Sequence, residues 1–415
     1  MRAISLVLAF AAGSLVLRAN DAAAPAPLGS PVFRPTSERP FGWRGDGSGC
    51  YPGATPVLEW SPTKNVRWSV PVGKSYASPI LVGDLVVVLS EPGLLVAVDR
   101  ATGKDRWKKE IRSAELSDPA ARAAADEYKS KDTGMAAATP VTDGSAIFAV
   151  LANGIVQAVG LDGKARWTAF IDAKQSTAYG RSASPILADG KLIVHMTHLY
   201  AFDPAGGRQI WVNNEARCQY GTPAALRLNS ATVIVTPAGD VFNAADGKNL
   251  NTQIGNTSNV SPLVQDGLVY FVERDVRAIR LGAGYKDESV WNGEISGDVF
   301  GSPVLHGGLL FTATGKGELV VFDAGKKGSV EPLFEARPLF GEEGGAQPVA
   351  YSSFTLAGGH LFLASLTGEV VVLEATREAR LVARNKLKEG SGAAPVFAGG
   401  QLFLRDGDRL YCIGE

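Results

Sequence analysis

Eight times along this chain a short apolar segment opens in the same way, and that repetition restricts the fold more than any other feature. The openings are Ser78-Pro79, Thr139-Pro140, Ser184-Pro185, Thr222-Pro223, Ser261-Pro262, Ser302-Pro303, Ser353-Phe354 and Ala394-Pro395. Successive openings lie 61, 45, 38, 39, 41, 51 and 41 residues apart. Each unit reads as a short strand, a glycine turn, a second apolar strand, another turn and a third strand such as "LLVAVD", "HLYAFD" or "ELVVFD". A period near forty with several strands per unit is the mark of propeller blades. Burial is then spread over many interfaces, which a chain of 415 residues needs, because a single core stops growing at about 300 residues.

The two ends of the repeat complement each other. The eighth unit stops at its third strand, "LYCIGE", while "NVRWSVPV" at 65–72 stands upstream of the first unit. Trp68 there matches the context of Trp107, Trp167 and Trp211. The N-terminal strand is expected to complete the last blade, covering two sheet edges that would otherwise be open. The expected fold is all-β: an eight-bladed β-propeller of four-stranded antiparallel blades over 60–415, closed by the N-terminal strand. Cys412 aligns with the small residues Ala97 and Ala201 and reads as a buried thiol, with a Cys50–Cys412 disulfide as the alternative.

One pattern recurs at the end of the units. Ala97-x-Asp99-xxx-Gly103-Lys104-xx-Trp107 returns as Ala201-x-Asp203-xxx-Gly207-Arg208-xx-Trp211, with eroded copies at Ala158…Trp167, Ala278…Trp291 and Val321-x-Asp323. A cofactor cradle in every unit would need eight sites, so the pattern reads as architecture. It resembles the tryptophan-docking motif of the pyrroloquinoline-quinone (PQQ) dehydrogenase repeat family, and the resemblance runs from 60 to 415. It implies that each Trp packs between neighbouring blades, where its large ring buries much apolar area.

Fold alone does not choose between the family's branches. In its dehydrogenases a quinone lies between a Trp and a disulfide of adjacent cysteines, beside a calcium ion held by Glu, Asn and Asp, with an Asp as base. Cys50, Cys218 and Cys412 are far apart, with no adjacent pair and no haem-attachment sequence. Resemblance to the branch of outer-membrane-protein assembly factors therefore implies a non-catalytic binding scaffold without cofactor. A PQQ- and calcium-dependent oxidoreductase is the alternative. The acylated cysteine of those assembly factors has no counterpart here.

With 41 Lys+Arg against 42 Asp+Glu, the chain gives no electrostatic reason to expect a nucleic acid partner. Met1-Arg2 followed by the apolar run Ala3–Leu17 reads as a signal peptide over 1–19, placing the mature protein in the periplasm or outside the cell. No later segment is long and apolar enough to span a bilayer. Residues 20–59 read as an irregular arm, and a monomer is expected. Between the first two units, Asp118-Pro119 looks like a helix start within an insertion at about 112–137, and "AARAAADEYKSK" continues as a helix former.

No catalytic set or metal-binding spacing emerges. Four histidines make a His-rich site improbable, and Asp46 and Asp99 lie in no calcium-loop spacing. "WRGDGSG" at 43–49 contains Arg-Gly-Asp, but its position before the first strand reads as part of the arm rather than as an adhesion site. The candidate binding residues come from topology. Positions just before each unit's opening ring one mouth of the propeller channel: Lys74, Tyr76, Arg181, Tyr220, Phe300, Tyr351 and Ser391. Aromatics and cations of this kind are enriched at protein interfaces, so an envelope protein or a small ligand is the expected partner.

Overall fold

The computed structural model describes residues 24–341 and 350–415. The expected signal peptide lies outside the described residues.

Eight antiparallel sheets follow one another around a central channel, each with its first strand innermost. The first blade shows the pattern. Ile80–Val82, Leu85–Ser90, Leu94–Asp99 and Asp105–Glu110 pair in sequence order, and the middle two strands are almost wholly buried between neighbouring blades. Val, Ile and Leu fill such two-faced positions, while the outermost strand alternates charged and part-buried residues.

Closure occurs where the sequence predicts it. Val66–Pro71 pairs antiparallel with Arg409–Ile413, the third strand of the eighth blade, setting Trp68 opposite Cys412. This register repeats Ala97 opposite Trp107, Ala158 opposite Trp167, Ala201 opposite Trp211 and Ala278 opposite Trp291. A small side chain faces each indole. Cys50, Cys218 and Cys412 are all free thiols, so the alternative Cys50–Cys412 disulfide is not formed. Cys50 is instead held beside the seventh blade, pairing with Leu356.

The geometry explains the rest of the repeated pattern. Asp99 caps its turn by accepting the N–H groups of Ala101 (3.1 Å) and Thr102 (2.9 Å). Gly103 has φ +71°, and a Cβ there would come within 2.7 Å of the Trp68 ring. Gly163, Gly207 and Gly247 take the same place beneath Trp107, Trp167 and Trp211. Each of these four indoles reaches the turn of the next blade and donates its Nε1–H to a carbonyl there: Arg100 (3.2 Å), Leu161 (2.8 Å), Pro204 (2.8 Å) and Ala244 (3.2 Å).

A second set of bonds runs around the inner strands. The backbone N–H at each unit's opening donates to the hydroxyl of the next. The bonds are Ser78 to Thr139 (3.0 Å), Thr139 to Ser184 (3.0 Å), Ser184 to Thr222 (3.0 Å), Thr222 to Ser261 (2.8 Å), Ser261 to Ser302 (3.1 Å) and Ser302 to Ser353 (2.9 Å). The repeated Ser/Thr is a stitch between blades.

The arm is folded into the channel. Phe41 and Tyr51 are buried, and Cys50–Tyr51 adds a parallel strand to the inner strand of the seventh blade, Thr355–Ala357. Phe41 exchanges two backbone hydrogen bonds with Thr142 on the second blade. Arg44 is 1% exposed, and its guanidinium donates to the carbonyls of Pro303 (2.6 Å) and Phe354 (2.9 Å). The Arg of the Arg-Gly-Asp sequence is thus an internal clamp.

Candidate functional site at the open mouth

The arm enters from the end of the channel where each blade's first and second strands turn. The opposite end is formed by the loops that join one blade to the next, and these carry the candidate residues. Part-buried and buried carboxylates hold several of the loops. Glu91 accepts the N–H groups of Met135 (3.0 Å) and Ala136 (2.8 Å). Glu273 accepts those of Ser258 (2.7 Å), Asn259 (2.5 Å) and Val260 (3.1 Å), while burial pushes its carboxyl pKa up. Asp406 accepts the amides of Lys388, Glu389 and Gly390. Each acid follows or ends a second strand, so the loops are tied to the sheets.

The structure brings some of the candidates together. Phe300 and Tyr351 meet edge-on with ring centroids 4.8 Å apart. A Cβ on Gly392 would lie 3.8 Å from the Tyr351 Cβ and 3.8 Å from the Tyr76 ring, so these two residues flank the glycine. Phe300, Tyr351 and Tyr76 form one arc, with Tyr351 46% and Tyr76 51% exposed. Lys74 stands at its end, 3.6 Å from Glu389. Ser391 turns its hydroxyl to the Arg405 carbonyl (2.8 Å). Tyr220 lies apart from the arc, its hydroxyl accepting the Tyr179 N–H (3.0 Å) and its ring 6.1 Å from that of Tyr179.

Arg181 departs from the sequence expectation of a rim cation. It is 9% exposed, donates to the carbonyls of Ala152 (2.6 Å) and Ala173, and lies over the Tyr128 ring. Burial lowers its pKa. The insertion accounts for this: its helix, Pro119–Glu127, capped by Asp118, buries Ala121 and Ala125 and is followed by Tyr128. The helix stops at Glu127, short of the full run expected. The insertion is packed down, with Tyr128 donating to Gln175 (2.9 Å) and Ala136 accepting from Ser75 (2.7 Å).

Sequence reasoning missed Tyr179, the most exposed aromatic of this mouth at 62%. It lies five residues before its unit's opening, outside the positions that repeat spacing selects. Tyr76, Tyr179 and Tyr351 are three of the eight exposed large apolar side chains among the described residues.

The three thiols stand on different parts of the fold, and among the described residues no three His, Cys, Asp or Glu side chains are grouped to hold a metal.

Comparison with known proteins agrees with this architecture. A family model described as outer membrane protein assembly factor BamB matches residues 57–284, more than half of the chain. A BamB from Burkholderia pseudomallei (strain K96243) is 29% identical over 307 residues, covering 71% of this chain and 65% of that protein, so the match spans less than two thirds of its length. Among solved structures, BamB from Moraxella catarrhalis superposes with a TM-score of 0.61 at 14% identity, covering 84% of this chain and 99% of the other. Quinohemoprotein alcohol dehydrogenase from Comamonas testosteroni also gives 0.61, at 10% identity and coverages of 90% and 80%. At these identities the two structures establish the fold.

Proposed function

The chain belongs to the family described as outer membrane protein assembly factor BamB, and from that premise we propose that it is an exported, non-catalytic scaffold of the periplasm that binds a partner protein at the open mouth of its channel. The observation that carries this reading is the arc of Phe300, Tyr351 and Tyr76 around Gly392. Exposed aromatics lose little conformational entropy when covered and contribute much contact energy, as binding hot spots do. The supporting loops are pre-organised by Glu91 and Asp406, which reduces the ordering cost of association.

The test is site-specific photo-crosslinking in intact cells. A photoreactive residue at position 76 or 351 is expected to capture one envelope protein, and one at position 104, in a turn at the far end, is expected to capture none. Equal capture from all three positions sinks the assignment of this mouth. A parallel incubation with PQQ and calcium, followed by dye-linked alcohol oxidation, addresses the enzymatic alternative.

A further inference from the structure

The arm fills the channel off-centre. Inner strands of the seventh, eighth and first blades (Thr355–Ala357, Val396–Ala398 and Ile80–Val82) are buried throughout, as is Val141–Thr142 of the second. On the third, fourth and fifth blades the inner strands are Ile186–Ala188, Ala224–Leu228 and Leu263–Gln265. There Ile186, Leu187, Ala224, Val264 and Gln265 are only half-buried, and Ala225 is exposed. Between these strands and the arm lies a cavity of about 360 Å³. Trp43, Glu38 and Asp46 of the arm line one side, and Ile186, Ala225 and Val264 line the other.

We propose that this open half of the channel is a second binding site, taking a short extended peptide segment that carries a cationic group at its Trp43 and Asp46 side. The arm itself demonstrates the mode. Cys50–Tyr51 lies as an added strand on the seventh blade and Phe41 bridges to the second, so the inner edges of this ring accept extended chain. The inner strands of the third to fifth blades have no such strand from the arm among the described residues. Their edges offer backbone donors and acceptors beside apolar walls, the arrangement used when a peptide adds to a sheet.

The cation follows from the arm's side of the cavity. Glu38 and Asp46 form no ion pair among the described residues: Glu38 accepts from Ser37 (2.7 Å), and Asp46 from the Ser48 hydroxyl (2.6 Å). Two cations stand nearby: Arg39 is turned to the Ala26 carbonyl (2.6 Å) and the face of Phe33, and Arg44, which lies over the Trp43 ring, gives its guanidinium to the carbonyls of Pro303 and Phe354. Two carboxylates beside an indole favour a lysine side chain or a peptide amine.

The experiment titrates the full chain with the peptide Lys-Val-Val-Val amide by isothermal calorimetry. Saturable binding is expected. It should weaken by at least about tenfold when the peptide's backbone nitrogens are methylated, since that removes the donors of an added strand. Glu-Val-Val-Val amide should bind more weakly than the lysine peptide. Ala225→Trp, which fills the cavity from an exposed position, should abolish binding with the melting temperature unchanged, and Tyr76→Ala at the other mouth should leave binding intact. Absence of saturable binding overturns the proposal. So does binding that survives both methylation and Ala225→Trp, or that butylammonium displaces as well as the peptide does.

Discussion

Ala394 donates its backbone N–H to the hydroxyl of Ser78, 3.1 Å away and 316 residues earlier in the chain. This bond carries the inner ring of stitches across the seam between the eighth blade and the first. The ring has one missing stitch on the other side of Ala394, which has no hydroxyl to offer Ser353.

Ala394→Ser should supply that missing acceptor. One net hydrogen bond at a buried position contributes about 0.5–1.5 kcal/mol, so the variant should unfold at higher urea concentration with an unchanged slope. The reverse change at an existing stitch, Ser184→Ala, should cost about 1–3 kcal/mol, because the Thr139 amide is left buried without an acceptor. A destabilised Ala394→Ser would show that the seam has no room for the oxygen.

The repeated tryptophans should not be equivalent. Trp291 is fully buried against Tyr270 and Phe322, whereas Trp107 is half-buried. Trp291→Ala should cost about 3–5 kcal/mol and Trp107→Ala roughly half as much. Trp43→Ala should cost little, since its ring faces the open half of the channel. Denaturant titration of the three variants checks the order.

Arg44→Ala should destabilise by about 2–4 kcal/mol, leaving the carbonyls of Pro303 and Phe354 unpaired. Arg44→Lys should recover only part of the loss, because a single ammonium lacks the guanidinium's fork. An adhesion role for the Arg-Gly-Asp sequence would instead leave stability unaffected by either change.

Stability should fall on acidification because of His195. The ring is buried, and that burial lowers its pKa to about 4; Asp240 and the Arg217 backbone oppose the shift, and His198 adds to it. Below about pH 6.5 the unfolded chain binds a proton that the folded chain refuses, so stability declines as pH falls and levels off below about 4. The full effect is about 3 kcal/mol. His195→Leu should flatten the profile relative to wild type between pH 6.5 and 4, measured by urea unfolding across that window. Parallel profiles for the two proteins would overturn this assignment.

What the sequence makes legible is whatever repeats. Blade number, strand order and closure by the strand at Trp68 follow from spacing alone, because every blade solves the same packing problem. The arm does not repeat, and its position depends on contacts remote in sequence: Arg44 reaches Pro303 and Phe354, 259 and 310 residues away. Arg181 misleads for a related reason. Its spacing marks the mouth, but the carbonyls of Ala152 and Ala173 lie within its reach and draw it inward. The arc at Tyr76 and Tyr351 was legible as positions, while their placement on either side of Gly392 required the loops themselves.

The seam also orders the life of the molecule in time. The strand at Val66–Pro71 is synthesised early, yet its partner at Arg409–Ile413 is made well over three hundred residues later. Until then the ring is an open arc with two bare edges, and the early strand must remain unpaired while some 340 residues follow. Loop closure over that length is entropically costly and slow compared with hairpin pairing inside each blade. Blades can therefore form in sequence during synthesis, but the ring can close only once Arg409–Ile413 has been made, so this strand pair separates an aggregation-exposed open arc from a closed ring.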